Sequence, residues 1–125
     1  MLASGIFAQP IAEIMIYRIA TSADWRAAQR NGEFASADLA QEGFIHCSER
    51  EQVLRTAHKY YAGQRGLVLL EIDEALIAAP IRREDLTGRG EKFPHAYAPI
   101  PLVAIVRHIE FGVGDDGLFS LPAEV

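Results

Sequence analysis

The run at 66–73, GLVLLEID, constrains this chain more than any other stretch. It is apolar enough to be a central strand, with neighbours on both sides. Candidate neighbours are easy to find. Residues 14–20 (IMIYRIA) are β-branched and aromatic-rich, and 93–97 (FPHAY) and 102–111 (LVAIVRHIEF) also read as strands, separated by Pro99 and Pro101. Residues 80–84 form a shorter candidate. Val103, Ile105, Ile109 and Phe111 share one parity. Arg107 falls on that parity too, so either a bulge sits there or the face is not fully buried.

Two helices precede most of the strands. Thr21-Ser22-Ala23-Asp24 is a helix start, Trp25, Ala27 and Ala28 give a small apolar face, and Gly32 offers a stop. Residues 33–42 read as a loop, and 43–47 as a short strand. Ser48 followed three residues on by Glu51 predicts a capping box. The helix it opens carries Val53, Leu54, Ala57 and Tyr61 at helical spacing, runs to about Ala62 and stops at Gly63. Helices early and strands late give an α+β domain over 15–111. Residues 1–14 read as a tail, an upstream start or an N-terminal arm, because Met15 directly precedes the first strand. Residues 112–125, with an Asp115-Asp116-Gly117 turn, read as a C-terminal tail.

Composition narrows the function classes. At 125 residues, half of them hydrophobic, the chain fits one folded domain and not a disordered one. There are 12 Lys plus Arg against 17 Asp plus Glu, a net −5, which argues against bulk nucleic-acid binding. One Cys excludes an internal disulfide framework and a cysteine-based zinc cluster. No apolar run approaches the roughly 20 residues of a membrane span. The expectation is an acidic, cytoplasmic domain with no metal and no resident cofactor.

The candidate site rests on two stretches. In Gly43-Phe44-Ile45-His46-Cys47-Ser48, Ile45 and Cys47 take one face of the strand, and Phe44 and His46 take the other. His46 then lies beside the helix end at Ser48, where free N–H groups would favour an anion. The bland alternative is a histidine bonded within a structural turn, with Ser48 only capping. In Phe93-Pro94-His95-Ala96-Tyr97, Pro94 suggests a strand edge or mouth, and His95 and Tyr97 project from one face. The alternative is a solvated histidine and a tyrosine capping the core. Arg18, inside the first strand, is a solvent-face charge or an anion clamp. By position alone, Glu84 after Arg82-Arg83 is a surface charge pair, and His58 and His108 look structural or exposed. Cys47 lies on the parity opposite His46, which argues against a Cys–His nucleophile pair.

Taken together, Ile16-Tyr17-Arg18-Ile19, Trp25, Gly43-Phe44-Ile45-His46-Cys47-Ser48 with Gln52, the run at 67–73, Glu84, and Phe93-Pro94-His95-Ala96-Tyr97-Ala98-Pro99 resemble a bacterial family of uncharacterised proteins, domain of unknown function family 952. The resemblance spans about 15–111, with Ala98 where the family usually carries Gly. That family looks like a divergent branch of the ADP-ribosyltransferase fold. The resemblance implies two small packed mixed β-sheets with two main helices. It also implies a cleft for a nucleotide-like small molecule, with NAD as ligand or substrate. In that reading His46 and His95 are catalytic, and Arg18, Ser48, Tyr97 and Glu84 bind ligand. Glu91 is the acid nearest the place where many of those transferases carry their catalytic Glu. The function expected is therefore nucleotide binding with divergent ADP-ribosyl or phosphate transfer. A non-catalytic binding or regulatory module is the alternative.

Overall fold

A computed structural model describes residues 14–125. The reading of 1–14 as a tail falls almost wholly outside them. Strand β1 (Met15–Thr21) leads into helix α1 (Ser22–Asn31), where the Thr21 hydroxyl accepts the Asp24 N–H at 3.0 Å. Gly32, at φ 83°, closes α1 in the left-handed region that glycine enters without penalty. Strand β2 (Glu33–Phe34) and helix α2 (Ala37–Glu42) follow, in a stretch expected to be a loop. Gly43, at φ 89°, ends α2 by donating its N–H to Leu39 O. Strand β3 (Ile45–His46), a 3₁₀ turn (Arg50–Gln52) and helix α3 (Val53–Tyr60) come next. The remainder is β4 (Leu67–Asp73), β5 (Ile81–Glu84), β6 (Phe93–Ala96), β7 (Ile100–Pro101) and β8 (Ile105–Phe111).

The strands form a β1-β4-β8 sheet, a β3-β6-β5 sheet and a β2-β7 pair. Every pairing is antiparallel. The α+β class holds, but the expected mixed sheets do not, and α2 adds a third helix. Strand direction follows from connections whose length and path leave little trace in side-chain pattern. β4 is central and buried along its whole length. Val68, Leu70 and Ile72 pack into one core with Ile16, Phe34, Ile45 and Ile100. Leu67 and Leu69 pack into a second core with Ile19, Val53, Ala57, Phe111 and Phe119. The parity conflict at Arg107 resolves as a bulge: Glu71 faces Arg107, but Ile72 faces Ile105, so Val106 is the extra residue.

The second core needs the C-terminal segment. Val113 and Phe119 are buried, and Phe119 stacks on Phe111 at 5.1 Å. His58 Nε2 accepts the Phe119 N–H at 3.0 Å, which makes His58 structural. Residues 112–125 therefore complete the domain and are not a loose tail. Among the described residues, no helix is long and apolar enough to cross a membrane.

Candidate functional site

The two larger sheets meet where Tyr17 and Ser48 exchange backbone hydrogen bonds, at 2.8 and 2.7 Å. Next to that junction lies a cavity of about 960 Å³, walled by β3, β6, α2, α3 and the 85–91 loop. Arg18, His46, Ser48, Glu84 and His95 all line it. Tyr97 stands just behind, with its ring 5.4 Å from Phe44.

Register places the two histidines together. His46 pairs with His95 across β3 and β6, and their rings meet edge to face with centroids 5.3 Å apart. Cross-strand neighbours share a face, so the parity read from each strand separately brings the rings to one place. His95 is buried and stacks on Phe44 at 4.2 Å. Its Nδ1 lies 2.9 Å from Glu84 Oε1, and the Tyr97 hydroxyl donates to the same oxygen at 2.5 Å. The Tyr97 hydroxyl, and after it His95, hold the Glu84 carboxyl below its ordinary range. The same bond pushes the Tyr97 phenol up, since its anion would face a carboxylate. Glu84 is thus more than a surface partner of Arg82 and Arg83. An ionised Glu84 accepts a hydrogen bond from Nδ1–H, and the neutral ring in that tautomer keeps a lone pair on Nε2. Among the described residues, Arg18 Nε is the one buried side-chain nitrogen or oxygen without a partner. His95 Nε2 is not among such buried orphans, and its ring lines the cavity, on which that nitrogen opens.

His46 is half-exposed, and its Nε2 lies 3.0 Å from Glu42 Oε2. Its peptide is clamped on the edge away from β6. The N–H donates to Asp38 Oδ2 at 2.8 Å, and the carbonyl accepts Arg18 Nη1 at 2.9 Å. Arg18 and Asp38 are themselves paired at 2.7 Å, and Ser36 donates to the other Asp38 oxygen. Burial works against the Asp38 charge, but Arg18, Ser36 and the His46 N–H outweigh it and hold that carboxyl low. Arg18 therefore positions His46 first. Its charge is already answered by Asp38, unlike that of a free anion clamp.

The expected helix-end anion site at Ser48 is also corrected. Ser48 is extended and tied to Tyr17 through its backbone, while its hydroxyl lies 3.4 Å from Thr56. Glu49 is the cap, reciprocated by Gln52 as a capping box one residue later than expected. A carboxylate thus occupies the helix end, and Arg83 pairs with it at 2.7 Å.

The far wall supplies cations and an aromatic ring. Lys59 sits over the exposed Tyr60 ring at 5.1 Å, and Arg55 holds Glu91 through two hydrogen bonds of 2.8 and 2.6 Å. Arg55, and after it Gln52, pull the Glu91 carboxyl down to about 2. Cys47 is buried, with its thiol pushed up to about 12 by desolvation, and is unsuited to nucleophilic work. Among the described residues, no three His, Cys, Asp or Glu side chains are grouped to hold a metal ion. Sequence reasoning missed Asp38, Glu42, Lys59 and Tyr60. It placed Phe44 on the His46 face without assigning it a role.

Residues 19–108 match the family described as "Protein of unknown function (DUF952)". The chain belongs to the DUF952 family. Both strings that carried the resemblance, at 43–48 and 93–97, lie within the matched span. Among solved structures, the crystal structure of protein CC0527 from Caulobacter crescentus is 36% identical, with a TM-score of 0.76 over 85% of this chain and 93% of that one. Its solution NMR structure gives 36% and a TM-score of 0.73, over 83% and 90%. No curated protein matches the chain. The DUF952 assignment thus fixes kinship and carries no activity with it.

Proposed function

We propose that the cavity binds a nucleotide-like small molecule of the NAD or ADP-ribose class, and that its histidines move a proton on that ligand. The observation that carries the reading is the Glu84–His95 pair, held at 2.9 Å and facing His46 across one cavity floor. A neutral His95 with its lone pair toward the ligand is a general base, oriented by Glu84. Lys59 and Arg89, which also line the cavity, suit phosphates, whereas Arg55 is already engaged by Glu91, and the exposed Tyr60 ring suits a stacked base. About 960 Å³ lies within the usual range of small-molecule sites, roughly 300–1,000 Å³.

The same proposal takes the fold as a divergent ADP-ribosyltransferase-like one. Its support is the order of elements, in which β1 leads to α1 and β3 leads to α3 beside a single cleft. NAD enters as ligand or substrate, and the chemistry is ADP-ribosyl or phosphate transfer. Cytoplasmic residence belongs to the proposal too, since the lone Cys47 is a free thiol.

Thermal melts with NAD and with ADP-ribose test the binding. A ligand that binds only the folded state raises the melting temperature. A rise at millimolar ligand, reduced in His95→Ala, is expected. No shift with either compound, nor with related phosphates, overturns the reading. One observation favours a second reading, binding without catalysis: Glu91, nearest the expected catalytic acid, is already held by Arg55 and Gln52. Chromatography for nicotinamide after incubation with NAD separates the two. Release abolished by His46→Ala marks an enzyme, and binding without release marks a module.

A further inference from the structure

The site holds two histidine–carboxylate pairs, His95 with Glu84 and His46 with Glu42, and the rings converge from adjacent strands. One buried histidine beside one carboxylate would serve many reactions. Two rings whose centroids lie 5.3 Å apart, in edge-to-face contact, point to a narrower one. A group lying across the cavity-facing edges of both rings can touch both, since acid and base each work at roughly 2.6–3.2 Å from the atoms they serve. The pairs differ in setting. His95 is 4% exposed and fixed by Phe44, Glu84 and its strand, whereas His46 is half-exposed at the mouth. The inner ring thus offers a lone pair from Nε2, and the outer ring can exchange protons with water. Lys59 and Arg89 line the same cavity, where negative charge on a ligand would be met.

We infer that this site cleaves a phosphodiester of a ribonucleotide by paired acid–base catalysis, with His95 as base and His46 as acid. The inference rests on the nucleotide-binding reading above and names its substrate class. His95 Nε2 takes the proton of the attacking hydroxyl, which is the ribose 2′-OH beside the phosphate or, in a cyclic phosphate, a water. That oxygen forms a new bond to phosphorus. The bond from phosphorus to the leaving oxygen breaks, and its electron pair takes the proton carried by His46. His95 ends protonated and His46 neutral, and exchange with water restores both. The balance needs no oxidant, reductant or further co-reactant. Arg18 and Asp38 are positioning residues in this scheme, because they hold the peptide of His46 and not its ring.

The test uses the whole chain, with adenosine 2′,3′-cyclic phosphate and the dinucleotide UpA as probes, in the presence of a chelator. Products are separated by chromatography. Cleavage of either probe is expected, lowered on the order of 10²-fold or more by His95→Ala and similarly by His46→Ala. Circular dichroism on each variant separates loss of chemistry from loss of fold. If His95→Ala fails to fold, His95→Gln, which keeps a polar group against Glu84, is the variant read in its place. An Asp38→Asn variant that lowers kcat with little change in KM, and leaves the fold intact, supports the positioning role. No cleavage of either probe overturns the inference, as does cleavage that survives loss of both histidines. The nucleotide-binding reading stands or falls separately, on the melts with NAD and ADP-ribose.

Discussion

One oxygen of Glu84 receives both the Tyr97 hydroxyl and the His95 ring. That shared acceptor orients the His95 ring and holds the Tyr97 phenol above its ordinary pKa. In Glu84→Gln the carbonyl is a weaker acceptor and the amide can donate, so the preference for a proton on His95 Nδ1 is lost. The Tyr97 phenolate would no longer face a charge, so its raised pKa should fall back toward the ordinary tyrosine value. Nitrogen shifts of the His95 ring and a pH titration of Tyr97 by NMR check both outcomes. A Tyr97 titration unchanged in Glu84→Gln would show that the shared bond does not act in solution. At this scale the sequence was readable where parity spoke: His46, His95, Tyr97 and Phe44 were placed on the correct faces from alternation alone. Asp38 was not, because it sits on α2, a six-residue helix in a polar stretch with no apolar period to betray it.

The 3₁₀ turn that leads into α3 shows how two elements compete for one residue. Ser48-x-x-Glu51 and Glu49-x-x-Gln52 are overlapping frames of the same capping pattern. Local propensity favours the first frame, since serine is a preferred cap. Tyr17 decides for the second by taking both backbone groups of Ser48 into the junction between sheets. Glu49→Ala should therefore cost about 1 kcal/mol in chemical denaturation, and Ser48→Ala clearly less. The reverse order would restore the first frame.

The 85–91 loop is pinned to α3 by Arg55 and Glu91, and that contact titrates. The Glu91 carboxyl falls from 4.5 to about 2 on folding, mainly through the Arg55 hydrogen bond. A lowered folded pKa contributes stability above the unfolded value, and that contribution is lost as pH falls through the folded one. The melting-temperature gap between wild type and Glu91→Gln should thus be largest above pH 4.5 and close as pH falls toward 2. Because the pair is solvent-exposed, the gap should also shrink in high salt. A gap that widens in acid would show that the loop is held by other contacts.

On the scale of the whole molecule, β4 divides the interior in two, and each half needs its own cover. Helix α1 and the β2-β7 pair serve one half; the sequence announced α1 through Trp25, Ala28 and Gly32 but read the stretch that holds β2 as a loop. The other half is closed by α3 together with residues 112–125. That second contribution was illegible, because Val113, Phe119 and Leu121 lie among Gly, Asp and Pro without any period. The structure predicts that a chain ending at Phe111 is not a stable domain. Removing the segment uncovers Phe111 and takes away Phe119, which is 5% exposed. Loss of a buried phenylalanine side chain alone costs about 3–5 kcal/mol, against a total stability of roughly 5–15 kcal/mol for a natural domain. Phe119→Ala in the full chain should therefore lower the melting temperature by roughly 10 °C or more. The chain cut after Phe111 should melt lower still, or bind a hydrophobic dye without a cooperative transition. Melting within a few degrees of the full chain would instead show that α3 alone covers the second core.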